Sequence, residues 1–290
     1  MNKPEFSRII AGCMSWGDWG KTLDQSEIIS TLHHCVEHDI TTFDHADIYG
    51  DYTTEAVFGK ALFKSAIERE SVQLISKCGI QYVGQTRANK IKHYDYSKSY
   101  IIWSVENSLK NLKTEYLDAL LLHRPSPLMQ PEEIAEAIIH LKNQGKIRHF
   151  GVSNFTSSQV ELLNKVVSVE MNQIEYSLTH FDAHTNGVLD QMILQNIMPM
   201  AWSPLGVVFK EENVRSKRIK SVLAELSSKY SVTEDQLLLA WTLRHPSQIH
   251  PVIGTTNLKR IANATHAINI SLDLEDWFKM LVASQGHKVP

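Results

Sequence analysis

Two carboxylates, a histidine and a tyrosine crowd the segment 41–50, TTFDHADIYG, directly behind an apolar run. Thr41, Thr42 and Phe43 suit a short buried strand, and Asp44-His45-Ala46-Asp47 is too polar to continue it. A carboxylate at the end of a buried strand needs either loop backbone to cap or a cation to meet. Two other segments supply cations at equivalent places. VQLIS, 72–76, reads as a strand that runs into Lys77, and LDALLL, 117–122, runs into His123. Brought together, these groups permit acid-base chemistry. A phenol with an ordinary pKa of about 10 keeps its proton near neutral pH, and a nearby ammonium lowers that value. If Tyr49 folds back over Lys77, with Asp44 holding the ammonium and His123 bonding at the same point, Tyr49 becomes a general acid. It would protonate a carbonyl oxygen while hydride arrives at the carbon, with no metal required.

Each residue alone has a plainer explanation. An Asp caps a loop, a lysine snorkels, and a histidine after three leucines hydrogen-bonds in a core. Their being in step outweighs this: Asp44, Lys77, His123, then Ser153-Asn154 and Gln173, each lie at or near the end of a successive strand. A competing reading makes His45, Asp47 and His123 the metal ligands of a hydrolase. It places the Lys77 cation beside the metal and finds no HxH pair after the first strand, so it is the weaker. A third reading keeps the site in a non-catalytic, cofactor-sensing partner protein.

The elements that must position these residues alternate. Strand patterns at 7–12, 41–44, 72–76, 117–122, 147–152, 167–174, 198–202 and 249–253 are each followed by helical spacing. Asp24 and Asn257 sit where N-caps belong, Asp95 or Ser97 starts a further helix, Thr54 is expected to cap a second helix, and Thr156 with Gln159 makes a capping box. Pro131 opens a helix that Gly145 stops. Eight strand-helix units with no intervening hairpins predict an α/β fold, a closed (β/α)8 TIM barrel with additional helices near the C-terminus, in one domain over residues 1–290. In a barrel the strand ends meet at one mouth. The polar stretch 81–96 exceeds what a connection needs, which predicts a lid or binding loop. In the loop 13–20, CMSWGDWG, Trp16 and Trp19 suit either core packing or a pocket lining.

Composition narrows the classes further. The 290 residues carry a formal net charge of −3 and are 43% hydrophobic, giving no electrostatic case for nucleic acid or an anionic membrane as partner. No stretch approaches the roughly 20 apolar residues of a membrane span, and the first ten residues lack a signal-peptide core. Three cysteines with no CxxC pair argue against a disulfide framework and for a cytoplasmic setting.

These motifs resemble those of the aldo-keto reductases in their order along the chain: FDHADIYG at 43–50, ISKCG at 75–79, LLLHRP at 120–125, GVSNF at 151–155, NQIEYS at 172–177 and AWSPLG at 201–206. The resemblance implies a catalytic tetrad of Asp44, Tyr49, Lys77 and His123, with Tyr49 the proton donor. It implies that Ser153, Asn154 and Gln173 bond a nicotinamide carboxamide, that Trp202 stacks on that ring, and that Ser203, Leu205 and Gly206 bind the pyrophosphate region. In the last cofactor segment, 253–264, Gly254-Thr255 stands where many members have Lys-Ser, and Asn263-Ala264 replaces a Glu-Asn pair. Arg260 is retained with no acidic neighbour in the segment, so Thr255 and Arg260 suit a 2′-phosphate. NADP (NADPH) is the expected cofactor, NAD the alternative, and a small-molecule carbonyl compound the expected substrate. Potassium-channel β subunits resemble the same family, which is the form the partner-binding reading takes.

Overall fold

The structure, a computed structural model, describes residues 4–290; residues 1–3, the start of the amino-terminal segment weighed as a signal peptide, lie outside the described residues. Among the described residues ten strands run in chain order: β1 (Ile10–Gly12), β2 (Thr42–Asp44), β3 (Gln73–Cys78), β4 (Ile80–Gln81), β5 (His93–Tyr94), β6 (Leu117–Leu122), β7 (Ile147–Ser153), β8 (Met171–Glu175), β9 (Met198–Trp202) and β10 (His250–Ile253). All but β4 and β5 close into one parallel barrel, in the order β1-β10-β9-β8-β7-β6-β3-β2. The helices are α1 (Gln25–Glu37), α2 (Tyr49–Tyr52), α3 (Thr54–Lys64), α4 (Lys98–Leu112), α5 (Pro131–Asn143), α6 (Ser157–Asn164), α7 (Val188–Leu194), α8 (Val214–Tyr230), α9 (Glu234–Leu243), α10 (Leu258–His266) and α11 (Leu274–Gln285). The expected (β/α)8 architecture is therefore present. No described helix is long and apolar enough to cross a membrane.

Alternation of side chains along the strands explains where the polar residues fall. Ile10, Ile75, Ala119, Leu121, Met171, Met198, Met200 and Val252 pack on one another inside the ring. Their neighbours, such as Phe43, Leu74, Leu120, Leu122 and Val152, face outward into the layer between strands and helices. With a period of two, the next inward position after each interior residue is Lys77 on β3, His123 after β6, Gln173 on β8 and Trp202 on β9. Asp44 pairs with Gly12 and Ile75, which puts it at the same level on β2. On β1 and β10 the corresponding positions are Gly12 and Gly254, and a Cβ at Gly254 would meet nothing within 4 Å. The mouth is thus ringed with side chains on one side and open on the other.

Local capping bears out most helix starts. Capping boxes close the N-termini of α1 and α6, and Ser97 and Asn257 cap α4 and α10. Thr54 is instead the first residue of α3, after Thr53. β1 is shorter than expected because Ser7 and Thr42 exchange backbone-to-hydroxyl bonds of 2.8 and 3.1 Å in place of ladder bonds. β8 starts later than residue 167, since Val167 N–H is bonded to Leu163 O and Val169 N–H to Asn164 Oδ1. The polar stretch 81–96 is not a free loop. Its ends pair as an antiparallel ladder, Ile80 with Tyr94 and Gln81 with His93, too short to show alternation in the sequence.

Candidate active site

The backbone after β2 continues alongside β3 before it turns, with His45 N–H on Ile75 O at 2.8 Å and Asp47 N–H on Lys77 O at 2.9 Å. This returns Tyr49 over Lys77, whose three ammonium hydrogens are all engaged. They reach Asp44 Oδ2 at 2.7 Å, His45 O at 2.8 Å and Tyr49 Oη at 3.1 Å. The His123 ring stands nearly perpendicular to Tyr49, centroids 5.9 Å apart. Asp44, Tyr49, Lys77 and His123 are therefore one buried cluster. Tyr49 Oη accepts from Lys77, and its own proton has no acceptor among the described residues.

Burial decides the ionisation. It pushes the Tyr49 phenol above its ordinary value, and the Lys77 ammonium pulls it back only part of the way. The sequence expectation of a lowered phenol pKa is thus reversed, because sealing the oxygen from water outweighs one cation that is itself neutralised by Asp44. Burial works against the charge on Lys77 too, but Asp44 and then Tyr49 overcome it, and the ammonium is held above its usual value. His123 is held neutral by burial, then by Lys77, Arg124 and Lys92.

A chain of hydrogen bonds continues round the mouth. Trp202 Nε1 donates to Asn154 Oδ1 at 3.0 Å, Asn154 Nδ2 to Ser153 Oγ at 2.8 Å, and Ser153 Oγ to the Gln173 carbonyl at 3.0 Å. Gln173 Nε2 closes the chain on Asp44 Oδ1 at 3.1 Å. One N–H on each of Asn154 and Gln173, and Gln173 Oε1, stay available. That remaining set of donors with an acceptor matches a primary carboxamide. Beyond β9, the Gly206 N–H closes a turn on Ser203 O at 2.8 Å. Gly206 has φ 57°, and its Cβ would stand 2.0 Å from Thr179 Oγ1, so no other residue fits. Leu205 lies within this turn. At the open side Ser15 Oγ donates to Gly254 O at 2.8 Å, and Asn257 caps α10 beside Thr255 and the exposed Arg260.

Residues 8–281 match the model of the aldo/keto reductase family. The chain belongs to that family. It is 41% identical to an uncharacterized oxidoreductase, YcsN, of Bacillus subtilis, over 99% of this chain and 97% of the relative. It is 37% identical to a 6-dehydroglucose reductase of Agrobacterium fabrum, over 99% and 97%. Among solved structures, an aldo-keto reductase from Klebsiella pneumoniae in complex with NADPH superposes with a TM-score of 0.77 at 25% identity, covering 95% of this chain and 90% of that one.

In this aldo/keto reductase the alternative metal set does not converge. His45 turns into the core, its ring 4.2 Å from Phe58, and burial followed by Lys77 pushes it down to about 3, so it is neutral. Asp47 faces Tyr100 and Ser104, and among the described residues no three His, Cys, Asp or Glu are grouped to hold a metal ion. The two loop tryptophans divide. Trp16 is buried in the core, whereas Trp19 packs beside the site, its ring centre 6.3 Å from that of Tyr49 and 5.0 Å from that of Tyr82.

The stretch between β4 and β5 is fastened to the turn that follows Tyr49. Gly50, Asp51 and Tyr52 have φ of 60°, 54° and 69°, a left-handed run that costs about 1–2 kcal/mol for each non-glycine residue. Asp51 Oδ2 accepts from Gln85 N–H at 2.6 Å and Thr86 N–H at 3.0 Å, and Tyr52 Oη accepts from Tyr82 N–H at 2.9 Å. Arg87 lies 3.5 Å over the Tyr52 ring and donates to Tyr100 Oη. These anchors were not legible as a pattern, since most of them join residues some 30 positions apart.

Asp47 is buried behind this turn, and burial, then Glu55, pushes its carboxyl up to about 7, against Arg87, Ser104 and Tyr100. A folded pKa above the unfolded value means that the proton stabilises the fold. That stability is complete below about pH 4 and is lost as pH rises through about 7. The buried neutral histidines act in the opposite direction, so the measurement is a difference. Between pH 5 and 7, urea denaturation should show Asp47→Asn gaining about 2 kcal/mol relative to the wild-type chain, with no further change above about pH 8. A pH-independent difference would place Asp47 ionised throughout.

Proposed function

We propose that this chain is an NADPH-dependent carbonyl reductase in which Tyr49 is the proton donor. The observation that carries the reading is the phenol that accepts from Lys77 while keeping its own proton without an acceptor among the described residues. A carbonyl oxygen placed between Tyr49 and the neutral His123 would receive two hydrogen bonds, and the phenol proton as negative charge develops. Lys77 stabilises the phenolate left behind, and Asp44 fixes the ammonium. Trp19 and Tyr82 exclude water from one side.

When bound, the reduced nicotinamide supplies hydride. The free groups of Asn154 and Gln173, with Ser153, would hold its carboxamide, and Trp202 would pack on its ring. The turn of Ser203, Leu205 and Gly206 would take the pyrophosphate, and Gly254 leaves the approach clear. Thr255, Arg260 and the N-terminus of α10 would receive the 2′-phosphate, favouring NADPH over NADH. The 6-dehydroglucose reductase among the relatives makes small polar aldehydes the first substrates to try.

The test is consumption of NADPH against NADH by the purified chain across aldehydes and ketones. The expected result is reduction of reactive aldehydes with NADPH preferred by roughly tenfold or more, about 1.4 kcal/mol per decade. Cofactor binding with no turnover of any carbonyl would leave the partner-protein reading in its place.

A further inference from the structure

The cluster around Tyr49 uses Lys77 and leaves two other cations at the same mouth without a task. Arg124 follows His123 directly, and its backbone is clamped by the buried Tyr96. The Arg124 N–H donates to Tyr96 Oη at 3.1 Å, and the same hydroxyl donates to Arg124 O at 2.5 Å. From that anchor just past the end of β6 the side chain reaches Trp202 on β9, its guanidinium carbon 5.3 Å from the centre of the ring. A guanidinium laid over a ring uses its face and keeps its N–H edge free for a ligand. Lys92, exposed on the stretch that leads into β5, is the second cation.

Neither Arg124 nor Lys92 has a carboxylate within ion-pair distance among the described residues. Lys77, Arg124 and Lys92 are the charges acting on His123, and all are positive. Asp44 answers the first of these; among the described residues no carboxylate pairs with the other two. The plain alternative is that Arg124 only packs on Trp202 with its charge in solvent. That alternative does not account for a clamped backbone directly beside the imidazole, nor for two cations with no carboxylate at ion-pair distance among the described residues.

We propose that Arg124, assisted by Lys92, is a specificity-determining residue that receives an oxyanion, carboxylate or phosphate, carried by the carbonyl substrate a few bonds from its reacting carbon. This rests on the reading of Tyr49 and His123 as the carbonyl site. The oxyanion contact exists before and during proton transfer alike, so it acts mainly on KM.

The experiment compares matched pairs with NADPH: butanal against succinic semialdehyde for a carboxylate, and glyceraldehyde against glyceraldehyde 3-phosphate for a phosphate. A charge-assisted contact predicts kcat/KM about 10–100-fold higher for the anionic member of at least one pair, carried by KM and falling as salt is raised. The pair that shows it identifies the oxyanion. Arg124→Met should reduce that anionic-to-neutral ratio by about the same factor, and Lys92→Gln by less. Equal kcat/KM within both pairs for the wild-type chain, or a ratio unmoved in a folded Arg124→Met, overturns the proposal. If that variant does not fold, the salt dependence of the wild-type chain decides: an anionic-to-neutral ratio that falls with salt supports the contact, and one that salt does not move overturns it. Absence of turnover for neutral and anionic members alike overturns the carbonyl-site reading, and the proposal with it, whereas turnover without charge preference overturns the proposal alone.

Discussion

Tyr49→Phe is expected to lower kcat by about 10³-fold, within the roughly 10²–10⁴ that general acid catalysis supplies. The substitution removes one oxygen and keeps the ring that packs between Trp19 and His123. NADPH affinity, read from quenching of tryptophan fluorescence, should therefore change by less than about threefold. The wild-type chain carries a further signature. A phenol held above its ordinary pKa stays protonated through the neutral range, so reduction should be flat from about pH 7 to 9 and fall only at higher pH, where the proton is lost. Unchanged turnover of a reactive aldehyde by Tyr49→Phe would falsify the assignment of the proton donor.

The second large effect belongs to Lys77→Met. The ammonium is fully buried and gives its three hydrogens to Asp44, His45 and Tyr49, so its removal does two things. It strips the phenolate of its stabilising charge, and kcat should fall by about 10²-fold or more. It also strands the Asp44 carboxylate with only Gln173 as a side-chain partner among the described residues, at a cost of about 3–5 kcal/mol, read by urea denaturation. The double variant Asp44→Asn with Lys77→Met separates the two, since a neutral amide should recover much of the stability and none of the turnover. A double variant that recovers both would show that the ammonium is structural.

The inward positions of the barrel were legible in the sequence because two constraints coincide there. An apolar run such as ALLL, 119–122, marks a strand covered on both faces, and the first polar residue beyond it, His123, marks its end. The same count places Lys77 and Gln173, and the structure brings all of them to one mouth. The ionisation of Tyr49 was not legible, because a nearby cation can be guessed from strand order but the seal around the phenol depends on Trp19, a residue of an irregular loop. Arg124 stands one position past His123, and a single arginine carries no periodic signal that would mark a role for it. The short β4–β5 ladder escaped because two residues are too few for any period.

The left-handed turn at Gly50, Asp51 and Tyr52 has a bearing on how such a protein can be re-engineered. Its shape is held from outside, by amide groups of Gln85 and Thr86 on Asp51 and by Tyr82 on Tyr52. Tyr82 also packs on Trp19, which stands beside Tyr49. Grafting a foreign sequence over positions 82–87 to broaden substrate range would therefore release the scaffold on which the proposed acid rests. Selectivity and catalytic competence are mechanically coupled at this edge, and a transplant that preserves the amide contacts to Asp51 is the one that can alter the former without eroding the latter.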